Sequence, residues 1–483
     1  MFALLRQQPR PFFMIFMLEI WERFGFYSVQ GILVLYFIRY LGFSNQVAYY
    51  TFGAFCALIY SMVPLGGFLG DKLLGTKRTI VLGLIVLSLG YFSLAWVDKN
   101  HVFWALGLIC IGNGLFKANP ATLLAKCYEH DRPSVLHAGF TLYYMAINLG
   151  AIAALFVGPV VSSRYGYSYS YMISGTGIIF ALINYWSQHK HIANIDTPAD
   201  QYTIRWYQWV IVVAGILLIA GMAAYLLQHV AIAKLLIYIT ASFLTATYFY
   251  CIYKEEQKEV RQRLLLAFIL MLEAIVFFTL YQQMPTSINL FAVDNVNTTL
   301  FGIHLDPQSF QVLNPTWIIL MSPVLASFYA YLQRKQISFP VPYKFALGMT
   351  CCGISFLVLF MTRYVHDEAG MVSSWWLVAS YFFQSIGELL VSALGIAMVA
   401  ELVSQRIMGF VMGMWYLTSA LAGLTGATVA SYAALPKSLQ PGVESLMLYT
   451  HVFAAIGVVT LVVAVFLWLI SPRLTRMMTI ESI

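Results

Sequence analysis

Apolar residues run in long stretches along this chain, separated by short polar or turn-rich breaks. About 20 helical residues cross a bilayer's hydrocarbon core, and these stretches have that length. Read in order, they predict fourteen spans, near 12–37, 48–69, 79–97, 101–125, 139–162, 168–187, 207–228, 232–253, 262–284, 310–332, 344–364, 374–402, 408–432 and 449–470. A polar segment, HKHIANIDTPADQYTIRW (189–206), follows the sixth span, and KEEQKEVRQR (254–263) follows the eighth. The expected organisation is a six-helix bundle over 1–188, a linker with two additional spans over 189–260, a second six-helix bundle over 261–472 and a tail over 473–483. The second and tenth spans end alike, in MVPLGGFLGDKLLGTKR (62–78) and MSPVLASFYAYLQRK (321–335), a weak internal echo. Paired six-helix halves with a site at their interface are a recurrent transporter plan.

The first span departs from the pattern. Its stretch LEIWERFGFYSVQ (18–30) sets Glu19, Glu22 and Arg23 in the middle of an apolar run. Each such charge costs about 2.5–3.5 kcal/mol at the centre of a spanning helix. Glu19, Glu22, Arg23, Phe26, Tyr27 and Gln30 recur at helical spacing and share one face, which leaves the other side free to meet lipid. Three together need partners, a wet cavity, or both; a self-neutralising structural ion pair is one reading and a functional site the other.

Few other ionisable groups lie inside spans. Lys117 sits in GNGLFKANP (112–120), where Gly112, Gly114 and Pro120 should bend the fourth span and allow close packing. Glu388 sits in QSIGELLVSALG (384–395), deep in the twelfth. Opposite charges in opposite halves suit a permanent tie, a gate, or a receptor for a zwitterion. Glu273 has no motif around it. Tyr60, Tyr143, Tyr144, Asn148, Gln282, Gln283, Asn314 and Trp415 complete a candidate lining. The aromatics are individually as consistent with packing or an interfacial belt, whereas buried amides must find partners. His101, His137 and His451 fall near span ends, so Glu19, Glu22, Lys117 and Glu388 are the candidate proton carriers.

Composition settles the class. The chain is 60% hydrophobic and 10% charged, against about 25% charged for soluble domains, so it reads as an all-α polytopic membrane protein. The net charge of +7 reflects loops rather than a nucleic-acid surface. With a cytoplasmic N-terminus, about nineteen Lys and Arg fall in the cytoplasmic loops and termini, Arg132 and Arg406 among them, and about six, including Lys437, on the opposite side. Both termini are then cytoplasmic. MFALLRQQPRPFF enters the first span without a small-residue cleavage site, so no cleaved signal peptide is expected. The six cysteines show neither metal nor paired extracellular spacing and read as packing residues. No HExxH, Walker A loop, GxSxG or Cys/His cluster occurs. An enzyme is not expected, no cofactor is implied, and transport driven by an ion gradient remains.

These residues together resemble a known family, the proton-coupled oligopeptide transporters of the major facilitator superfamily, and within it the bacterial dipeptide and tripeptide permeases. The family's ExxERFxYY motif is matched by Glu19-Ile-Trp-Glu22-Arg23-Phe24-Gly25-Phe26-Tyr27, and the superfamily's loop signature by GGFLGDKLLGTKR (66–78). FTLYYMAINLGAI (140–152), GNGLFKANP and GELLVSALG are similar to its fifth-, fourth- and tenth-helix motifs, and two extra central spans fit the bacterial branch. The resemblance implies the major facilitator fold and proton-driven symport of di- and tripeptides into the cell across the bacterial inner membrane. Arg23 and Lys117 would face the peptide carboxylate and Glu388 its ammonium. Tyr27, Tyr60, Tyr144, Asn148, Asn314 and Trp415 match pocket positions, Glu19 and Glu22 match the proton-coupling pair, and Asp71 would act as a conformational latch. Three departures stand out: Phe26 replaces a motif tyrosine, Gln30 stands where many relatives carry arginine, and Gln282 where others often carry an acid.

The mechanism expected is alternating access of two bundles around a midplane site, with protons, the peptide and the lipid bilayer as the only partners and a monomer as the unit. Two alternatives are a proton-coupled carrier of another small solute, such as an amino acid, drug or nitrate, and a membrane peptide sensor. A single-charge anion would need only the Arg23 end, and a sensor would want an appended signalling domain.

Overall fold

The computed structural model describes residues 5–128, 133–404, 407–436 and 438–478, with the side chains of 133–134 and 393–401 outside the description. Arg132, Arg406 and Lys437, which enter the charge count for orientation, and residues 479–483 of the tail lie outside the described residues.

Every expected span is helical, most within a few residues of the expected limits; the helix of the fifth begins six residues early, and that of the last extends six residues before and eight beyond its expected limits. In chain order the long elements are α1 (Arg10–Arg39), α2 (Asn45–Phe68), α3 (Thr76–Trp96), α4 (Val102–Lys117), α5 (Asn119–Lys126), α6 (Pro133–Tyr165), α7 (Tyr167–Gln188), α8 (Trp206–Gln228), α9 (Val230–Lys254), α10 (Lys258–Tyr281), α11 (Ser287–Asn295), α12 (Leu313–Arg334), α13 (Val341–Met361), α14 (Trp375–Leu402), α15 (Met408–Ser431) and α16 (Val443–Met478). Among the described residues, eleven helices are long and apolar enough to cross a membrane by length and composition. Three expected spans are not among those eleven: the first helix, which carries its central charges, α7, which is rich in Tyr and Ser, and α14, whose residues 393–401 have side chains outside the description.

A proline divides one expected span, and another proline ends a second span early. Pro120 stands second in α5, lacks an N–H, and cannot continue a helix past the Phe116 carbonyl four residues back. The fourth span therefore breaks right after Lys117. Pro285, one residue past the expected limit of the ninth span, ends that helix at Tyr281, and a further helix, α11, which was not among the expected spans, follows a turn over 282–286. There Gln283 replaces missing backbone bonds: its Nε2 donates to the Thr279 and Gly426 carbonyls, both at 3.0 Å, and its Oε1 accepts from Ser287 Oγ at 2.8 Å.

Two compact units result, one of residues 1–42 and 54–233, the other of 43–53 and 234–483. In the first, α1 packs on α6 and α7, α3 on α4 and α7, and α4 on α8. The apolar side of α1, expected to meet lipid, is instead covered by its neighbours. Gly25 lies against Ile178 and the Ser174 carbonyl, Phe24 against Gly177, and the Trp21 ring packs tilted against Phe180 with centroids 4.9 Å apart. Exposed large apolar groups of α1 are confined to Phe13 and Met17 near its start. The first additional span is no separate element: Ile216 and Ala220 of α8 close a buried cluster with Val86, Ile111 and Leu115. Gly107 lets the two backbones approach.

Gly150 sets the spacing that matters most for the site. A Cβ at this position of α6 would lie 2.5 Å from the Ile20 carbonyl and 2.9 Å from Arg23 Cβ. Gly150→Ala is expected to push α6 off α1 and destabilise the protein by about 1–3 kcal/mol. A lowered thermal midpoint in detergent checks this; an unchanged midpoint would contradict so close an approach.

On the loop side, a π turn (Leu69–Leu73) extends α2 and leads to Gly75, whose φ of +86° suits glycine. The linker after α7 is fastened to this loop. Asp200 accepts from the Lys77 backbone N–H at 3.1 Å and closes a capping box with Thr197. The Lys77 ammonium pairs with Asp196, and Arg78 donates to the Tyr202 carbonyl at 2.9 Å. At the opposite end of α3, donation from the His101 ring to Asp98 holds that carboxyl below its ordinary range.

In the second unit, α13 packs on α14 and α16, α10 on α14 and α15, and α12 on α14. The other additional span joins it through Tyr248 of α9, which donates to the Leu264 carbonyl at 2.8 Å and stacks on Phe268 and Phe410. Asn295, ending α11, donates to the Gly370 and Gly442 carbonyls and accepts from Ser445, stapling three loop segments. Beside it, Thr299–Leu300 (β1) and Ile303–His304 (β2) form a short antiparallel hairpin.

Candidate functional site

Helical spacing on α1 brings Glu19, Glu22 and Arg23 together as predicted, and all three are buried. Arg23 Nε lies 3.1 Å from Glu19 Oε1, and an outer guanidinium nitrogen lies 2.5 Å from Glu22 Oε2. The guanidinium also sits 5.3 Å over the Phe26 ring, a cation–π contact made by the residue that replaces a motif tyrosine. Tyr27 and Gln30 continue the face, half-buried.

Neighbouring helices complete the first constellation. From α6, Tyr143 donates its hydroxyl to Glu19 Oε2 at 2.6 Å. One turn on, Asn148 donates to the Tyr144 carbonyl at 2.9 Å, on the segment that Gly150 presses against α1. From α4, Asn113 Nδ2 lies 3.5 Å from Glu22 Oε1. Lys117, at the break before α5, acts electrostatically on Glu22, Glu19 and Arg23, and its ammonium sits 4.0 Å over the Tyr60 ring. Two carboxylates and two cations thus share one buried neighbourhood.

The second unit carries its own polar group. Glu388 of α14 is 9% exposed, and its Oε2 accepts from Asn314 Nδ2 of α12 at 2.8 Å. Ser385, one turn before Glu388, exchanges hydrogen bonds with Asn314 at 3.1 and 3.3 Å. On α15, Trp415 is buried with an edge-on contact to Phe278. Gln282 caps α10, buried against Gly426, with its Oε1 unpartnered. Gln384 joins these helices by donating to the Leu280 carbonyl at 3.2 Å. Asp71 is exposed on the π turn after α2.

Asn113 escaped the sequence reading, although it stands four residues before Lys117 and so shares its helix face. Ser385 was legible in the same way, three residues before Glu388. Tyr143 appeared only as one lining aromatic among several; its bond to Glu19 needed the α1–α6 packing.

A family model described as the POT family matches residues 77–446. The chain belongs to the POT family. Similar POT-family proteins include the dipeptide and tripeptide permease B of Salmonella typhimurium, 46% identical over 98% of this chain and 97% of the relative. That of Photorhabdus luminescens is 47% identical over 98% of each. Among solved structures, tetrameric PepTSo2 superposes with a TM-score of 0.86 at 33% identity, over 97% of this chain and 99% of that one. A bacterial homologue of the human drug peptide transporters PepT1 and PepT2 gives 0.85 at 33% identity with the same coverage. The fold is that of the POT transporters, in a multi-pass membrane protein.

Proposed function

We propose that this chain imports di- and tripeptides across the bacterial inner membrane, driven by protons, with both termini in the cytoplasm. The observation that carries the reading is the charge count of the first constellation. Glu19, Glu22, Arg23 and Lys117 sum to zero when all are ionised. Adding one proton leaves a net positive charge in a buried site, which is costly until an anion arrives. A peptide carboxylate on Arg23 and Lys117 restores neutrality. Proton and carboxylate therefore favour each other's binding, as symport requires.

Glu388 supplies the other end. Its described donor is one neutral amide, Asn314, so a carboxylate there is left to be balanced by a cation, and the peptide ammonium is that cation. Every dipeptide has both termini, so recognition of the ends admits many side chains. Tyr27, Tyr60, Tyr144, Asn148, Gln282 and Trp415 are assigned to the pocket wall, and Asp71 to a latch on the cytoplasmic loop. The moving parts are the bundles over 1–188 and 261–472, alternating in access, with the two spans of 189–260 accessory to them. Both charge sets belong to one chain, so a monomer is taken as the transporting unit.

The test is uptake of labelled dialanine by proteoliposomes, with and without an inward proton gradient and with excess free alanine. Gradient-dependent accumulation unaffected by alanine is expected. Binding without accumulation, or competition by alanine, would count against the reading.

A further inference from the structure

The two glutamates of α1 are not equivalent. Both oxygens of Glu19 are engaged: Oε1 is ion-paired with Arg23 Nε at 3.1 Å, and Oε2 accepts the Tyr143 hydroxyl at 2.6 Å. Glu22 differs. Its Oε2 faces the Arg23 guanidinium at 2.5 Å, while its Oε1 has only Asn113 Nδ2 at 3.5 Å, the outer limit of a hydrogen bond. That oxygen is the one on the pair that lies neither in an ion pair nor in a short hydrogen bond, so a proton adds there without disturbing either.

Asn113 is suited to meet a protonated Glu22. It is fully buried, and its Oδ1 has no partner. A carboxylate only accepts, whereas a carboxylic acid also donates. An amide carries both functions, so rotating the Asn113 side chain turns its nitrogen away and offers Oδ1 to the new O–H. The other charged and titratable groups acting on Glu22 are Glu19 and Arg23 on α1, Tyr91 from α3 and Lys117 from α4. Tyr143 from α6 is engaged by Glu19.

We propose that Tyr143 and Asn113 divide the pair, Tyr143 fixing Glu19 as the standing carboxylate and Asn113 receiving the proton-loaded Glu22. The coupling proton passes from water to Glu22 Oε1 on loading and returns to water on release. Both residues are positioning residues, acting through the glutamates. The inference rests on the reading of Glu19 and Glu22 as the proton-coupling pair.

Two substitutions that leave the charge count unchanged test it, Asn113→Leu and Tyr143→Phe, in reconstituted full-length protein. Difference infrared spectroscopy on acidification reads the carboxylic-acid C=O band, whose position depends on the partner of the acid. Asn113→Leu should shift that band and Tyr143→Phe should leave it in place. Dialanine uptake at neutral external pH should fall about threefold to tenfold in Asn113→Leu, because the protonated acid has lost its acceptor, and recover at more acid pH. Should leucine not be tolerated, Asn113→Ala gives the same comparison. A band shifted by Tyr143→Phe and not by Asn113→Leu would overturn the division while sparing the pair as the proton site. A band that neither substitution moves, or no band at all, would remove the pair itself from proton coupling and the inference with it.

Discussion

Lys117→Ala abolishes concentrative dipeptide uptake, lowering it about a hundredfold, which corresponds to ~2.7 kcal/mol of lost coupling. Removing this cation leaves Glu19, Glu22 and Arg23 with a net negative charge. One proton then merely restores neutrality, and an arriving carboxylate meets a site that no longer attracts it. Breaking a buried pair by removing one partner costs about 3–5 kcal/mol, so the effect falls within reach of the interactions present. Glu22→Gln should fail in the opposite manner. It fixes the loaded charge without a proton, so exchange of labelled for unlabelled peptide persists while the response to a gradient disappears. Lys117→Ala should lose both. Gradient-driven accumulation at the unmodified level in Lys117→Ala would contradict the charge count, and a gradient response retained by Glu22→Gln would do the same.

Glu388→Gln weakens dialanine about tenfold to a hundredfold, the span of a hydrogen bond to a charged group, ~1.5–3 kcal/mol. The amide keeps the shape and still meets Asn314 but has no charge for an ammonium. N-acetyl dialanine, which lacks that ammonium, should be poor in the unmodified protein and almost unaffected by the substitution. Competition curves for the two peptides against labelled dialanine give the comparison. Equal loss for both would mean that Glu388 supports the helix contact with Asn314 instead of recognising the amine. Undiminished dialanine affinity would reject the ammonium assignment.

The spans, their limits and the shared face of Glu19, Glu22 and Arg23 were legible in the sequence because apolar length and a 3.6-residue period are local properties. So was the break after Lys117, which Pro120 imposes on its own helix. The covering of α1 on its apolar side was not legible. Whether an apolar face meets lipid or protein depends on which helix packs there, and Gly25, Gly150 and Gly177 reveal a tight contact only once the partners are known. The short helix α11 after the ninth span was missed for another reason. Pro285 falls in an apolar run, and the rescue of its break by Gln283, through carbonyls of Thr279 and Gly426, spans 143 residues of sequence. Tyr143 and Glu19, 124 residues apart, illustrate the same limit. Chemistry on one helix face can be read from spacing, and chemistry between helices cannot.

The central claim is that peptide and proton enter together, and symport makes it reciprocal. Proteoliposomes prepared with equal pH on both sides and a pH-sensitive dye inside should acidify when dialanine is added outside. Free alanine should leave the dye unchanged, and Lys117→Ala vesicles should not respond to either. Labelled dialanine entering with no change in internal pH would contradict the account.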